Sequence, residues 1–196
     1  MNGLRRNDAD APGTAGIKNM PLVSIVILNW NGKEWLKKFL PFVLASTYTN
    51  KRVIVADNNS SDDSILFLQQ NFEEVEVLIN ANNEGFAKGY NDALKQVKSD
   101  YYILLNSDVE VTAGWIEPII ELMENDASVA ACQPKILSYR EREFFEYAGA
   151  CGGWLDNFGY PFSRGRIFED VEKDRGQYDD MRPCFWASGA ALFVKL

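Results

Sequence analysis

Three adjacent polar residues, Asn106, Ser107 and Asp108, follow directly on the apolar run of residues 102–105. Such a continuous apolar run predicts a short strand buried on both faces, so the polar triplet stands where that strand ends. Ligands bind at the strand ends of open α/β sheets, and a carboxylate at such an end can hold a divalent metal ion. A simple turn explains the same residues equally well, because Asn, Ser and Asp all favour turns.

Other apolar runs end in the same way. Residues 22–28 stop at Asn-Trp-Asn-Gly, residues 52–56 stop at Asp-Asn-Asn-Ser-Ser-Asp, and residues 75–79 are followed by an asparagine-rich segment. The carboxyl ends of parallel strands share one edge of a sheet. The sequence therefore predicts a polar rim along that edge.

Between these strands, apolar residues recur at the spacing of an α-helix. This spacing covers residues 33–46, the segment around 65–68, residues 86–97 and residues 115–124, and we expect Pro41 to kink or divide the first helix. Ser60 or Ser61 is expected to cap the second helix. Alternating strands and helices at this spacing predict an α/β fold with a mainly parallel sheet and right-handed crossovers.

The rest of the chain is less regular. Residues 129–137 predict another strand, and an apolar pattern resumes over residues 185–194. Between them, residues 138–182 are charged and punctuated by glycines, which predicts long loops or a hairpin excursion rather than a second domain.

Composition excludes several classes of protein. The 196 residues include 46% hydrophobic residues, which is typical of a globular chain, and no histidine, which removes Ser/His/Asp catalysis and HExxH zinc sites. A net charge of -8 argues against nucleic-acid binding. Three widely spaced cysteines without a CxxC pattern argue against zinc and disulfides, so reduced thiols in the cytoplasm are expected.

Targeting signals are not evident in the sequence. Residues 1–20 lack the apolar stretch of a secretory signal, so we interpret them as a disordered leader or cloning remnant. No apolar run approaches the roughly 18 residues that a transmembrane helix needs. Any membrane contact is therefore expected to be peripheral, at the inner face of the membrane.

Two common phosphate-binding loops are missing. The first strand is followed by NWNGKEW, which contains neither GxGxxG nor GxxxxGK[ST]. A dinucleotide-binding dehydrogenase and a P-loop protein are therefore disfavoured. A nucleotidyltransferase is also a weaker alternative, because residues 29–33 do not form a glycine-rich basic loop.

Five segments in order, VSIVILNWNG, VIVADNNSSDDS, NEGFAKGYN, LLNSDVEV and SGAALFV, resemble the successive motifs of family 2 glycosyltransferases. The likeness extends over residues 23–194 and is greatest to the branch that includes rhamnosyltransferases. The resemblance implies a GT-A fold, with a Rossmann-like, mainly parallel sheet flanked by helices. It also implies a nucleoside-diphosphate sugar as the donor and residues 21–196 as the donor-binding domain.

The resemblance also implies roles for individual residues. Trp30 and Asn31 would lie near the base and ribose, and Asp57 would accept a hydrogen bond from the imide N–H of the base. Around the diphosphate the family pattern places Asn83, Gly85, Lys88, Asn91, Asn106 and Ser107. Each position has a structural alternative, such as a helix cap for Asp57 or a solvated surface charge for Lys88.

The metal and the acceptor are assigned in the same way. Asp108 matches the last acid of the family's DxD-like motif and would contact Mg²⁺ or Mn²⁺. Asn106 replaces the first acid of that motif, which implies a single-carboxylate contact. Trp186, Ser188 and Gly189 match the strand that borders the acceptor pocket, with packing as the structural alternative.

The catalytic base is not identified. In the family it lies in an acidic motif beyond the SGAALFV strand, which corresponds to positions after Leu196. Other acids at positions 169, 170, 179 and 180 show no spacing that favours a catalytic role.

We expect the donor-binding part of an inverting glycosyltransferase, lacking the family's C-terminal part. It would move a sugar such as rhamnose from dTDP or UDP to a glycan or lipid-linked glycan acceptor in cell-surface polysaccharide synthesis. The alternative is a nucleotide-sugar-binding module without turnover, because the base is absent.

Overall fold

The computed structural model describes residues 20–148 and 150–195. The expected leader lies outside the described residues, apart from Met20. The strands are β1 (Val23–Asn29), β2 (Lys51–Asp57), β3 (Glu76–Ile79), β4 (Tyr101–Asn106), β5 (Ala131–Cys132), β6 (Gly153–Leu155), β7 (Pro161–Ser163), β8 (Arg166–Ile167), β9 (Asp170–Val171) and β10 (Ala191–Lys195). The helices are α1 (Lys33–Leu44), α2 (Ser64–Asn71), α3 (Phe86–Leu94) and α4 (Glu117–Asn125).

A six-stranded sheet, which we call the main sheet, has the strand order β3-β2-β1-β4-β10-β5. Strands β1 to β4 run parallel, and β10 pairs antiparallel with β4. Central β1 is buried on both faces, since β-branched side chains fill the space above and below it. The predicted α/β fold with a mainly parallel sheet is confirmed.

Helices cover both faces of the main sheet. Apolar side chains of α1, α2 and α4 form one core cluster with the strands, whereas α3 packs on the opposite face through Tyr90 and Ala93. Because the apolar face of each helix is buried against the sheet, the loop that connects the helix to its strand has a fixed position. The strand ends that carry the polar clusters therefore meet at one edge.

A second, four-stranded sheet, which we call the hairpin sheet, has the order β6-β7-β8-β9 and is antiparallel throughout. It forms from the segment for which a hairpin excursion was predicted. Phe145 is buried beneath it, and an isolated bridge between Gly153 and Trp186 connects it to the chain entering β10.

Several predicted boundaries were wrong. The strand expected at 129–137 is reduced to β5, because Pro134 has no N–H to continue a ladder. Helix α3 ends at Leu94 rather than at 97, and α1 continues through Pro41 without division. The serine cap of α2 does not form, since the cap position is Asp63 and the Ser60 hydroxyl bonds elsewhere.

Candidate functional site

The last residues of β1 and β2, Asn29 and Asp57, are neighbours in the sheet register. Asn29 Nδ2 donates to Asp57 Oδ2 at 2.8 Å, and Ser60 donates to both carboxylate oxygens, from its backbone N at 2.8 Å and its hydroxyl at 2.7 Å. Asp57 is 0% exposed. The carboxylate is thus hydrogen-bonded within the protein. For Asp57 to accept the predicted hydrogen bond from a base, the Ser60 side chain would have to move.

The loop after β1 is tied to the loop after β2. Asn31 has a left-handed backbone with φ of 50°, and its Oδ1 accepts from the backbone N of Ser61 at 2.8 Å and of Asp62 at 3.2 Å. Its own backbone N donates to the Ser60 hydroxyl at 2.8 Å. Trp30, by contrast, is 60% exposed at the tip of this loop. A free indole face beside the polar loops is compatible with stacking on a base.

The segment before α3 leaves open space beside Gly85. Gly85 has a φ of 86°, a conformation that favours glycine, and a Cβ at that position would meet no atom within 4 Å. Asn83 Oδ1 accepts from Gly85 N at 3.0 Å and from Asn58 Nδ2 at 2.7 Å. Asn83 and Gly85 therefore lie next to the β2 loop, as the predicted diphosphate contacts require.

Lys88 and Asn91 lie on α3 itself. Lys88 forms ion pairs with Asp92 at 2.5 Å and Glu84 at 3.2 Å, and the hydrogen bond to Asp92 does most to raise the pKa of Lys88. Its charge is compensated by these two carboxylates. Asn91 is exposed, and its side chain makes no hydrogen bond within the described ranges.

The β4 loop completes the rim. Asn106 lies beside Leu28 of β1, and its backbone N donates to Ala190 O at 3.0 Å. Ser107 Oγ is 3.7 Å from the position that a Cβ on Gly32 would take, so the β4 and β1 loops are close together. Residues 106–108 therefore lie beside the polar loops that follow β1 and β2.

Asp108 differs from the acids around it. It is exposed, and among residues 20–148 and 150–195 it has no hydrogen bond or ion pair. The nearby Glu110, in contrast, is bound by Arg142 through two contacts of 2.7 and 3.1 Å. Asp108 is therefore an available ligand group at the end of β4.

The protein side chains alone do not make a closed metal site. Within the described part of the chain no three acidic, cysteine or histidine side chains gather to hold a metal ion. Mg²⁺ commonly binds through one or two carboxylates together with substrate phosphates. The single carboxylate of Asp108 fits that arrangement, in which the ligand supplies the remaining oxygens.

The predicted acceptor-side residues border the same rim. Ser188 N donates to Gln133 Oε1, and Ser188 Oγ accepts from Ala190 N at 3.2 Å. A Cβ on Gly189 would lie 3.1 Å from the ring of Phe86, the first residue of α3. The half-buried Trp186 packs its ring against Gly153, whose own Cβ would lie 1.7 Å from it. Trp186 therefore joins the rim to the hairpin sheet.

Two of the four acids considered as bases are engaged in ion pairs. Asp179 is paired with Lys135 at 2.5 Å, and Asp180 is paired with Arg164 at 2.6 Å and with Arg182. These ion pairs support the interpretation of this segment as a charged surface.

Asn29 and Ser60 are functional candidates that sequence reasoning missed. Asn29 is buried and its Oδ1 has no partner, while a Cβ on Gly32 would lie only 2.4 Å from that oxygen. Its position as the last residue of a fully buried strand was the available signal. Ser60 was interpreted as a helix cap, although the structure uses its hydroxyl on Asp57.

A family model described as glycosyl transferase family 2 matches residues 24–184. An Escherichia coli relative, the UDP-Glc:alpha-D-GlcNAc-diphosphoundecaprenol beta-1,3-glucosyltransferase WfaP, is 31% identical over 109 residues, which cover 55% of this chain and 43% of the relative. The chain spans less than half the length of the curated relatives that it matches first.

Two solved structures share the fold. Staphylococcus aureus TarS 1-349 in complex with UDP-GlcNAc has a TM-score of 0.57 at 15% identity, covering 67% of this chain and 39% of that chain. Mannosyltransferase PcManGT from Pyrobaculum calidifontis, in complex with GDP-Man and Mn²⁺, has a TM-score of 0.54 at 16% identity, covering 63% and 38%. The GT-A fold expected from the sequence is confirmed.

Proposed function

Because the chain belongs to glycosyl transferase family 2, we propose that it forms the donor-binding part of an inverting glycosyltransferase. The donor is a dTDP- or UDP-linked sugar, and the acceptor is a glycan or lipid-linked glycan of a cell-surface polysaccharide. The observation that carries this proposal is Asp108, an exposed carboxylate without a partner in the described chain, located beside three polar strand ends.

Nucleotide recognition is assigned to the loops after β1 and β2. Trp30 stacks near the base, and Asp57 accepts from its imide N–H once Ser60 has moved aside. Both uracil and thymine carry that imide group, so this contact fits UDP and dTDP equally. The WfaP relative is named for UDP-Glc, which supports UDP, whereas the resemblance of the five sequence motifs to the rhamnosyltransferase-like branch supports dTDP-rhamnose.

The diphosphate is assigned to the start of α3 and to the β4 loop. Backbone N–H groups around Gly85, with Asn83, Lys88 and Asn91, face its oxygens at the start of α3. Asn106 and Ser107 contribute polar atoms from the β4 loop. Asp108 would hold Mg²⁺ or Mn²⁺, and a bound divalent ion would supply positive charge that stabilises the departing diphosphate.

The acceptor side is formed by Trp186, Ser188 and Gly189, which border the start of α3. The WfaP name specifies a diphosphoundecaprenol-linked acceptor, which supports a lipid-linked glycan for this chain. No helix in the described residues has the length and apolar character needed to span a bilayer. We place the reaction in the cytoplasm, at the inner face of the membrane.

Calorimetric titration with UDP and with dTDP, each with and without Mn²⁺, tests the proposal. We expect binding of at least one nucleotide, and Asp108→Asn should reduce its affinity at least tenfold only when Mn²⁺ is present. Glu121→Gln, an exposed acid on α4, is the matched control and should change nothing. Absence of heat with both nucleotides, or an unchanged affinity in Asp108→Asn, would overturn the assignment.

Turnover separates the enzyme from a binding module. Release of free UDP or dTDP from the sugar donor in the presence of a lipid-linked acceptor is expected from the enzyme. A module that only binds the donor would release none.

A further inference from the structure

The hairpin sheet carries an aromatic cleft at one end. Two hairpin turns, one between β6 and β7 and one between β8 and β9, lie at the same end of the sheet because the strands alternate in direction. Residues of both turns border one cleft of about 230 Å³. We define the aromatic cleft by Asp156, Tyr160, Phe162, Arg166, Ile167 and Phe168.

The aromatic walls of the cleft are exposed to solvent. Tyr160 is 66% exposed and Phe168 is 80% exposed, although burial of such rings is the usual outcome of folding. Phe168 also has a left-handed backbone with φ of 53°, which is unfavourable for a bulky residue. The Phe168 ring therefore contributes little to packing and is accessible to a ligand.

Two polar groups of the cleft have unused hydrogen-bonding capacity. Asp156 Oδ1 accepts from the backbone N of Phe158 at 2.8 Å and of Tyr160 at 2.9 Å, which fixes the carboxylate and leaves Oδ2 unbonded within the described residues. Arg166 stacks 3.8 Å above the ring of Tyr147 and has no carboxylate partner in the described chain. Its Nε is buried without a hydrogen bond.

Aromatic faces combined with a fixed acceptor and a set of donors match the chemistry of a sugar ring. The electron-rich face of an aromatic ring attracts the C–H groups on one face of a pyranose. Hydroxyl groups at the ring edge can donate to Asp156 and accept from Arg166. A mostly apolar pocket with a few convergent polar groups is the general form of a small-ligand site.

Strand β6 links the cleft to the proposed acceptor side. Strand β6 begins at Gly153, which is paired with Trp186, and the first hairpin turn starts at Asp156. Three residues of extended chain span roughly 10 Å. The cleft therefore begins one short strand beyond the contact with Trp186, which is one of the residues assigned to the acceptor side.

We propose that the aromatic cleft binds a neutral pyranose ring of the acceptor glycan, at a distance from the position of sugar transfer. This inference rests on the proposed function, because the ring is taken to belong to the acceptor. A negatively charged bilayer is a less suitable occupant. Asp156, Glu169 and Asp170 outnumber Arg166 at the turns and would be repelled by anionic lipid head groups.

Nuclear magnetic resonance titration tests the inference. The probes are the methyl glycosides of glucose, galactose, mannose, rhamnose and N-acetylglucosamine, and the signal is the Trp154 indole N–H, whose ring lies 6.4 Å from that of Phe162. At least one glycoside is expected to shift this signal. Tyr160→Ala, Phe168→Ala and Arg166→Gln should each weaken that binding at least fivefold.

Phe158→Ala is the matched control, because Phe158 is 87% exposed in the same turn but does not border the cleft. It should leave glycoside binding unchanged. If no glycoside binds, or if the three cleft variants bind as the unaltered chain does, the inference fails. It also fails if the chain instead binds phosphatidylethanolamine–phosphatidylglycerol vesicles and Phe158→Ala abolishes that binding.

UDP and dTDP titrations of the same variants keep the two proposals separate. Nucleotide affinity should be unchanged in all cleft variants. Glycoside binding without nucleotide binding would defeat the proposed function but leave a sugar site. Nucleotide binding without glycoside binding would contradict only the inference that the cleft binds a sugar.

Discussion

Polar groups are arranged differently at the rim of the main sheet and around the hairpin sheet. At the rim, Asn29, Asp57 and Ser60 bond to one another and are mostly withdrawn from solvent. Beside the hairpin sheet, ion pairs such as Lys173 with Glu143 lie at the surface, and large aromatic side chains of the sheet and its turns remain exposed. The difference indicates a preformed scaffold at the rim and an open recognition surface on the hairpin sheet.

Asn29→Leu should have the largest effect on stability. Leucine has a similar size but cannot donate to Asp57, so a buried carboxylate loses one of its donors. We expect the free energy of unfolding to fall by about 3 kcal/mol, measured by urea denaturation. Asn82→Leu, at an exposed loop position, is the control and should stay within about 0.5 kcal/mol of the unaltered chain. Equal effects in the two variants would show that the rim is not a packed network.

The main sheet was predictable because its signal is local. Residues 25–28, 53–56 and 102–105 are continuous apolar runs, and a strand buried on both faces requires such a run. The polar clusters at their ends could also be located, since they interrupt the apolar pattern. The bonds within the clusters could not, because Ser60 is equally suited to a helix cap and to a carboxylate partner.

The hairpin sheet was predicted only as an excursion. Its strands have two or three residues each, too few for alternation to be recognised, and they are held by pairing across turns. The strand expected at 129–137 is also short in the structure, because only Ala131 and Cys132 pair with β10. The aromatic cleft depends on two turns coming together, which no local pattern encodes.

A matched pair of glycines tests whether the hairpin sheet has a packed side. Gly165 and Gly159 have φ values of 94° and 85°, so alanine is strained at both positions. A Cβ on Gly165 would lie 2.5 Å from the ring of buried Phe145, whereas Gly159 has no atom within 4 Å. Gly165→Ala should lower the free energy of unfolding by about 2 kcal/mol more than Gly159→Ala. Similar losses would mean that Phe145 is not packed beneath the sheet.

A smaller effect is expected from Arg52 and Glu76, which join β2 to β3 at 2.7 and 2.6 Å. The hydrogen bonds from Arg52 lower the pKa of Glu76, so the stabilisation is present above the unfolded pKa of about 4.3 and is lost as the pH falls through the lower folded value. Glu76→Gln should therefore lose about 0.5 kcal/mol at pH 7 and almost nothing near pH 3.

The control for this pair is Glu143→Gln beside the hairpin sheet, where the ion pair with Lys173 is more exposed. No measurable change in the urea midpoint is expected at either pH. A larger loss for Glu143→Gln than for Glu76→Gln would reverse the contrast between the two sheets.

The most direct test of the central claim is the location of the metal ion. Crystals of the chain grown with UDP or dTDP and Mn²⁺ would reveal the ion by its anomalous scattering. We expect one peak about 2–2.5 Å from a carboxylate oxygen of Asp108, with the nucleotide phosphates as its other ligands. A nucleotide bound at the rim with the ion away from Asp108, or with that carboxylate turned toward the protein, would contradict the account.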